Sequence, residues 1–431
     1  MMTHPGAPNV LVACPDARPP AYQAVIGLDR AGLLQTFLTS YYYRDNARIS
    51  ALGRKILPKA YLRVERALRH RHDPEIPADR VRSAWSFDVA LQVENRLGGR
   101  SPESRRKVAK WRLERFDAAL LKRIKRETPG VVFAFSDVGS DRALPYCKKK
   151  EIPTVLSMVH GDVREERQVL AKEAEVSPEF FPLYLGGATL DREELERLHD
   201  RRLRELELAD VVLVPSEHIA TTLAKYGTPR EKLRVVPYAA DSRRFRPLES
   251  KTHGDSCTFL FAGGVSQRKG IKYLLEAWKT IRRPGWKLQL LGALPREFGP
   301  LEPLLEGVDV VGRVPHAEVP ARMAAADVFV FPSLFEGSAV VTYEALACGL
   351  PSVVTPSAGS VVRDGEEGFL IPPADVPPLA AAMERLGDDS ALRAEMSLKA
   401  RRRAEEFDWP RYHAGVIAAV RSLRREPAGV A

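Results

Sequence analysis

No apolar run in this sequence approaches the roughly 20 residues that a membrane-crossing helix requires. The longest, such as Val10 to Cys14 and Val211 to Val214, are strand-sized. Met1 to Val12 lacks a basic segment leading into a sustained apolar one, so no secretory leader is expected and the protein is expected in the cytoplasm. Cysteine is scarce. The four residues Cys14, Cys147, Cys257 and Cys348 are scattered and form no CxxC pair, which argues against a disulfide framework or a structural zinc site. They read as reduced, mostly buried thiols. There is no recognisable nucleic-acid-binding motif, and aromatic residues do not interleave with basic ones as they do in single-strand binders. Nucleic acid is therefore not an expected partner. Short repeats and low-complexity segments are also missing.

What is present is the balance of a soluble globular protein, 45% apolar and 28% charged, over 431 residues, too long for one ordinary domain. Two similar domains fit that length. The net charge of +10 is uneven: eleven Lys or Arg stand against three acids between Arg100 and Arg126, and a second basic stretch runs from Arg54 to Arg71. Leu113, Phe116, Leu120 and Ile124 recur at helical spacing, predicting an amphipathic helix with a basic outer face. That face reads either as a solvated surface or as an attraction to anionic lipid headgroups or an anionic acceptor. The Tyr41-Tyr42-Tyr43 cluster reads as packing or as a stacking platform for an acceptor.

Short apolar strands alternate with amphipathic helices along most of the chain, the pattern of parallel sheets covered on both faces. Strands are expected at Asn9 to Ala13, Val131 to Phe135, Thr154 to Val159, Val211 to Val214 and Leu233 to Val236. Ser216 is expected to cap a helix ending at Gly227. A polar, proline-containing stretch from about Arg243 to Asp255 marks a boundary, after which the rhythm restarts. Strands follow at Thr258 to Ala262, Lys287 to Leu291, Val308 to Val311, Val328 to Phe331 and Ser352 to Thr355. Helices are expected near Ile271 to Ile281, Ala317 to Ala325 and Val341 to Cys348, with a last one from Trp409 to about Arg424. This predicts domains at 1–242 and 243–408 and a terminal helix at 409–431. In such sheets ligands lie beyond the carboxyl ends of the strands, so the loops after Ala262, Val311 and Phe331 are expected to converge.

Two stretches carry candidate chemistry. Pro332 to Gly337 leaves a strand, and Glu344 to Pro351 continues on a helix, so Glu336 and Glu344, eight positions apart, can face one crevice. A carboxylate accepts two hydrogen bonds from a vicinal diol, as on a ribose or hexose. Ser338, Ala339 and Val340 precede that helix, where backbone N–H groups favour an anion such as a diphosphate. The second stretch runs from Phe259 to Gly270. Gly263 and Gly264 permit close approach to a ligand, and Arg268 and Lys269 follow as a forked and a mobile phosphate ligand. Two charges about 4 Å apart are worth about 4 kcal/mol at an effective dielectric near ~20, enough to matter for a departing diphosphate.

These stretches resemble the retaining glycosyltransferases of family 4, which have the GT-B fold, and the similarity covers nearly all of residues 205 to 425. Matching pieces occur in order: Ala209-Asp210 with Pro215 to Glu217, Val236 to Asp241 with Phe245 to Pro247, Gly263 to Gly270, Gly312 to Pro315, Ala326 to Ser333, the glutamate pair, and Gly365 to Pro372. The resemblance implies an α/β protein of two Rossmann-like, doubly wound parallel-sheet domains facing across a cleft, with a C-terminal helix crossing back to the N-terminal domain. It also implies roles. Glu344 holds the donor ribose, Glu336 contacts the transferred sugar, Arg268 and Lys269 neutralise the diphosphate, Gly312, Arg313 and Val314 line the base pocket, and His160 stands at the cleft. The sequence departs from the family at Gly264, often arginine in relatives, and at Asp16 to Tyr22, which replaces a glycine-rich acceptor loop.

The implied activity is retaining, metal-independent hexosyl transfer from a nucleotide diphosphate sugar to a hydroxyl, in polysaccharide biosynthesis. The lack of a DxD-like acidic pair in a suitable loop agrees with metal independence. No cofactor is implied. A UDP-sugar is the first choice of donor, although nothing in Gly312 to Pro315 chooses among uridine, guanosine and adenosine. The acceptor is expected to be a carbohydrate or lipid-linked, with peripheral association at the inner membrane face through the basic N-terminal half. The alternatives are a nucleotide-sugar epimerase or hydrolase on the same fold, and a non-catalytic sugar-nucleotide-binding protein.

Overall fold

The computed structural model describes residues 9–16, 19–44, 55, 71–84, 102–185, 192–249, 256–295 and 298–423. Most of the basic stretch from Arg54 to Arg71, part of the Asp16 to Tyr22 segment and the tail after residue 423 lie outside the described residues. The chain divides into two compact units, one of Met1–Met158, Glu193–Leu213 and His413–Ala431, the other of Val159–Arg192 and Val214–Tyr412. The second unit thus begins upstream of the expected boundary at residue 243 and takes in His160.

One sheet has seven strands in the order β3-β2-β1-β4-β5-β6-β7. They are β1 (Val10–Ala13), β2 (Leu34–Thr39), β3 (Val81–Ser83), β4 (Val131–Phe135), β5 (Thr154–Ser157), β6 (Val211–Val214) and β7 (Leu233–Val235). The other has six in the order β10-β9-β8-β11-β12-β13, parallel throughout. They are β8 (Cys257–Ala262), β9 (Trp286–Leu291), β10 (Val308–Gly312), β11 (Val328–Phe331), β12 (Ser352–Val354) and β13 (Gly368–Leu370). β1, β4, β6 and β11 are buried at every residue, which is why they read as unbroken apolar runs rather than alternations. β2, β3 and β13 were not expected. Gln35 and Thr36 interrupt the apolar run of β2, and β3 and β13 are only three residues each.

The helices are α1 (Pro19–Arg30), α2 (Pro102–Glu127), α3 (Ala143–Lys149), α4 (Val163–Val176), α5 (Arg192–Leu208), α6 (Glu217–Lys225), α7 (Ile271–Ile281), α8 (Val319–Ala325), α9 (Val340–Ala347), α10 (Val376–Asp388), α11 (Ser390–Glu405) and α12 (Trp409–Arg421). In the first unit, α2 buries Leu113, Phe116, Leu120 and Ile124 against Leu11, Leu38, Val132 and Ala134, as its spacing predicts. Asp117 on the same face is buried and accepts the N–H groups of Asp141, Arg142 and Ala143 at 2.8–3.0 Å. It thereby satisfies amides at the start of α3 that no helical partner could. Tyr42 and Tyr43 are buried, so packing accounts for them. The end of α12 also belongs to this unit: His413 Nε2 lies 2.8 Å from Gln23 Oε1 on α1.

In the second unit, Ser216 caps α6 as expected, its hydroxyl accepting from the Ile219 N–H at 3.3 Å. All four cysteines are free and buried. Among the described residues, no helix is long and apolar enough to cross a membrane.

Candidate active site

The six-stranded sheet reverses its order between β8 and β11, and the loops that leave the carboxyl ends of these two neighbours interlock. At such a reversal adjacent loops diverge and leave a crevice, the usual place for a ligand in an open α/β sheet. After β8, Gly263 takes a φ of 136°, and a turn of 3₁₀ helix spans Gln267–Lys269. It ends at Gly270, in the left-handed region at φ 73°. A Cβ there would stand 2.0 Å from the Pro332 carbonyl oxygen, so the β8 loop can seat against the β11 loop only with glycine at this position. The Leu334 N–H then donates to the Arg268 carbonyl at 2.8 Å, and the Ser333 hydroxyl donates to the same oxygen at 3.2 Å.

This seating brings three of the expected charged residues together. Arg268 Nη1 lies 3.0 Å from Glu336 Oε2 and donates to the Phe335 carbonyl at 3.0 Å. Lys269 Nζ lies 3.6 Å from Glu336 Oε1 and 4.9 Å from the centre of the Phe331 ring. All three side chains are largely but not fully covered, with 27%, 18% and 13% of the Arg268, Lys269 and Glu336 side chains exposed. Within this trio two cations thus share one carboxylate. Burial is the largest single influence on Arg268 and works against its charge, but Glu336, Tyr184 and Glu166 together outweigh it and hold the guanidinium above its ordinary range. For Lys269 burial prevails over Glu336, and its ammonium sits below the usual lysine range.

His160, three residues beyond β5, has its backbone against the same loop: a Cβ on Gly337 would meet the Val159 carbonyl oxygen at 2.2 Å and the His160 Cα at 2.9 Å. A Cβ on Gly161 would strike the Phe335 ring at 2.6 Å. Gly263 faces Lys269 Nζ, whereas Gly264 is exposed with nothing within 4 Å of where a side chain would start. Open space therefore stands at this position, where the family resemblance leads to an expectation of arginine.

Ser338 donates from its hydroxyl to the Gly359 carbonyl at 2.7 Å, and the Ala339 N–H is committed to Ala358 at 3.0 Å. Of the amides expected to favour an anion, that of Ala339 is therefore already occupied. Ala339 serves as the N-cap of α9, and Val340 and Val341 open the helix. Glu344 lies in its second turn, half-buried, with its carboxyl pushed up to about 7 by burial, against which Arg244 works. Arg244 itself bonds to the ring nitrogen and carbonyl of His316. Gly312 ends β10, two strands from β8, with φ 75°, and Arg313 and Val314 follow it. These three stand at a different part of the sheet from the Arg268–Lys269–Glu336 cluster.

Sequence profiles match most of the chain. One described as Glycosyl transferases group 1 matches residues 256–389, and one described as Glycosyltransferase Family 4 matches residues 62–244. The lipopolysaccharide core biosynthesis glycosyltransferase LpsE of Rhizobium meliloti is 31% identical over 253 residues, covering 56% of this chain and 72% of that protein. A D-inositol 3-phosphate glycosyltransferase of Pseudarthrobacter chlorophenolicus is 34% identical over 237 residues, 48% of this chain and 56% of that protein. An MMP alpha-(1->4)-mannosyltransferase of Mycolicibacterium hassiacum is 31% identical over 49% of this chain and 54% of its own length. The chain thus spans about half the length of these last two relatives. Among solved structures, sucrose-phosphate synthase from Thermosynechococcus elongatus aligns over 96% of this chain and 99% of its own with a TM-score of 0.66 at 19% identity. HepE from Anabaena, solved with UDP and glucose, covers 96% of this chain and 100% of its own at a TM-score of 0.59 and 17% identity. With these two profiles on it, two parallel sheets of GT-B type beneath them, and LpsE matched over most of its length, the chain belongs to the family 4 glycosyltransferases, glycosyl transferases group 1.

Proposed function

We propose that the chain transfers a hexose from a nucleoside diphosphate sugar to a hydroxyl of a glycan or lipid-linked acceptor, with retention of configuration and without a metal ion. The observation that carries this reading is the pair of cations, Arg268 and Lys269, converging on Glu336 at the strand-order reversal. The glycosidic C–O bond to the phosphate breaks, its electron pair goes to the diphosphate, and an oxocarbenium-like sugar remains. The acceptor oxygen attacks from the face the phosphate left and gives its proton to that phosphate. Arg268, Lys269 and the amides of Val340 and Val341 stabilise the charge that grows on the leaving group. Glu336 contacts the sugar, Glu344 accepts from the ribose diol, His160 borders the sugar, and Gly312, Arg313 and Val314 line the base. The UDP and glucose of HepE favour a UDP-sugar as the first donor to try, and the LpsE likeness favours a lipopolysaccharide-type acceptor.

A panel of UDP-, GDP- and ADP-hexoses, read by thermal shift and then by product mass spectrometry, tests this. One donor is expected to raise Tm and to deliver its sugar to an acceptor, with retained anomeric configuration by NMR. An isomerised sugar attached to nothing would favour an epimerase, and binding without turnover a non-catalytic binder.

Glu344 predicts a pH dependence. With its carboxyl raised to about 7, it carries a proton below that pH, and a diol then loses its anionic acceptor. The donor KM is expected to fall as pH rises from 6 to 8, and Glu344→Gln should flatten that limb. A wild-type KM independent of pH over this interval would remove Glu344 from the ribose.

The outer face of α2 favours peripheral attachment at the inner face of a membrane. Lys107, Lys110, Arg115, Lys122 and Lys125 are exposed there around Trp111, which is 41% exposed, although Glu103 and Glu114 pair with the first two lysines. The charge reversals Arg115→Glu and Lys122→Glu together are expected to cut co-sedimentation with phosphatidylglycerol vesicles several-fold. Unchanged sedimentation would leave the basic face as ordinary solvated surface.

A further inference from the structure

The turn that carries Arg268 and Lys269 is held from behind by a helix about 100 residues upstream in the sequence. In α4, Val163, Glu166, Leu170 and Glu173 form one buried stripe, so a helix with a charged sequence turns two carboxylates inward. A buried carboxylate is tolerated only where donors surround it. Glu173 is 1% exposed and has them: its Oε2 accepts from Gln267 Nε2 at 2.5 Å, and its Oε1 accepts from the Tyr273 hydroxyl at 2.6 Å. Gln267 is the residue before Arg268 and is fully buried, and its side-chain oxygen accepts from the Lys272 N–H at 3.2 Å. Around this centre, Lys272 Nζ donates to the buried Ser177 hydroxyl at 2.7 Å, and the Arg268 N–H donates to the Tyr184 carbonyl at 3.1 Å. The stretch 267–273 is thus tied on both sides of its two cations to the segment 173–184, all within the second unit.

We propose that Glu173 is a positioning residue for transfer: by gripping Gln267 and Tyr273 on either side of Arg268 and Lys269, it fixes the two cations where the leaving diphosphate needs them. The inference rests on the donor reading given above. Glu173 touches no substrate. Its effect falls on the placement of a preorganised charge, which matters more as charge develops than in the ground state. Loss of the grip therefore lowers kcat far more than it raises the donor KM. A residue that only held the fold together would instead lower Tm and the amount of active protein, leaving kcat per active site unchanged.

The test uses the full chain and the nucleotide sugar selected from the UDP-, GDP- and ADP-hexose panel. Glu173→Gln keeps shape and volume but has one acceptor oxygen where the carboxylate has two, so it cannot accept from both Gln267 and Tyr273. It is expected to lower kcat about tenfold or more, with the donor KM within about threefold of wild type. The double exchange Glu173→Gln with Gln267→Glu restores a carboxylate–amide pair and should recover most of kcat. Should Glu173→Gln fold poorly, Tyr273→Phe removes one hydrogen bond while leaving the carboxylate, and a several-fold drop in kcat at unchanged KM is expected. If Lys269→Ala abolishes transfer while Glu173→Gln and Tyr273→Phe keep wild-type kcat, the positioning role is overturned and the donor reading stands. If Lys269→Ala itself transfers normally, both fall together.

Discussion

Lys269→Ala is expected to lower turnover by about 100–1,000-fold, the usual cost of removing one preorganised donor from a developing oxyanion. The fold should survive, because Glu336 retains Arg268 at 3.0 Å and is not left as a buried, uncompensated charge. Lys269 is also the cation whose burial leaves its pKa below the ordinary lysine range. It is thus desolvated before any donor arrives, and its charge acts in a low-dielectric setting. Steady-state transfer assays beside a calorimetric melt check both halves of the expectation. Near-normal transfer in a folded variant would contradict the assignment of the cluster to the diphosphate.

The second large effect is on the scaffold. Gly270→Ala forces a side chain into a backbone at φ 73°, and its Cβ would lie 2.0 Å from the Pro332 carbonyl oxygen. The left-handed conformation alone costs about 1–2 kcal/mol for an L-residue, and the backbone overlap adds to it. A loss of about 3 kcal/mol or more is expected, lowering the Tm of this unit by about 6 °C or more. Turnover should fall with it, because the residue that must shift adjoins Lys269. Gly227→Ala provides the control: its φ is 88°, but nothing lies within 4 Å of the added Cβ. It should cost only the conformational part, about 1–2 kcal/mol, and leave turnover unchanged. Equal melting shifts in the two variants would show that the Pro332 contact is not what fixes the β8 loop.

Legibility in the sequence followed burial. The bounds of β4, β6, β11 and α7 match expectation residue for residue, because a strand buried on both faces or a strongly amphipathic helix leaves an unambiguous pattern. β2 escaped notice because Gln35 and Thr36 interrupt its apolar residues, and β13 because a glycine opens a strand of three. Glycine is nevertheless required there, since a Cβ on Gly368 would lie 1.9 Å from the Ser352 carbonyl oxygen.

In the site, the nearness of Arg268, Lys269 and Glu336 is legible only as far as the loops after Ala262 and Phe331 are expected to converge, and their ion pairing is not. Glu173 could not be placed there beforehand, since it lies on a helix whose charges suggest a solvated face. Its signal is the seven-residue spacing from Glu166, in register with Val163 and Leu170. The occupation of the Ala339 amide is hidden for a related reason: its partner, Ala358, comes from a loop that only the tertiary fold brings near.

The most direct measurement of the central claim is a calorimetric comparison of nucleoside mono- and diphosphate binding. Wild type should bind the preferred nucleoside diphosphate well above the matching monophosphate, and Arg268→Gln with Lys269→Gln should collapse that difference to within about threefold while leaving monophosphate affinity intact. A difference that persists in full in the double variant would mean that the second phosphate is held elsewhere.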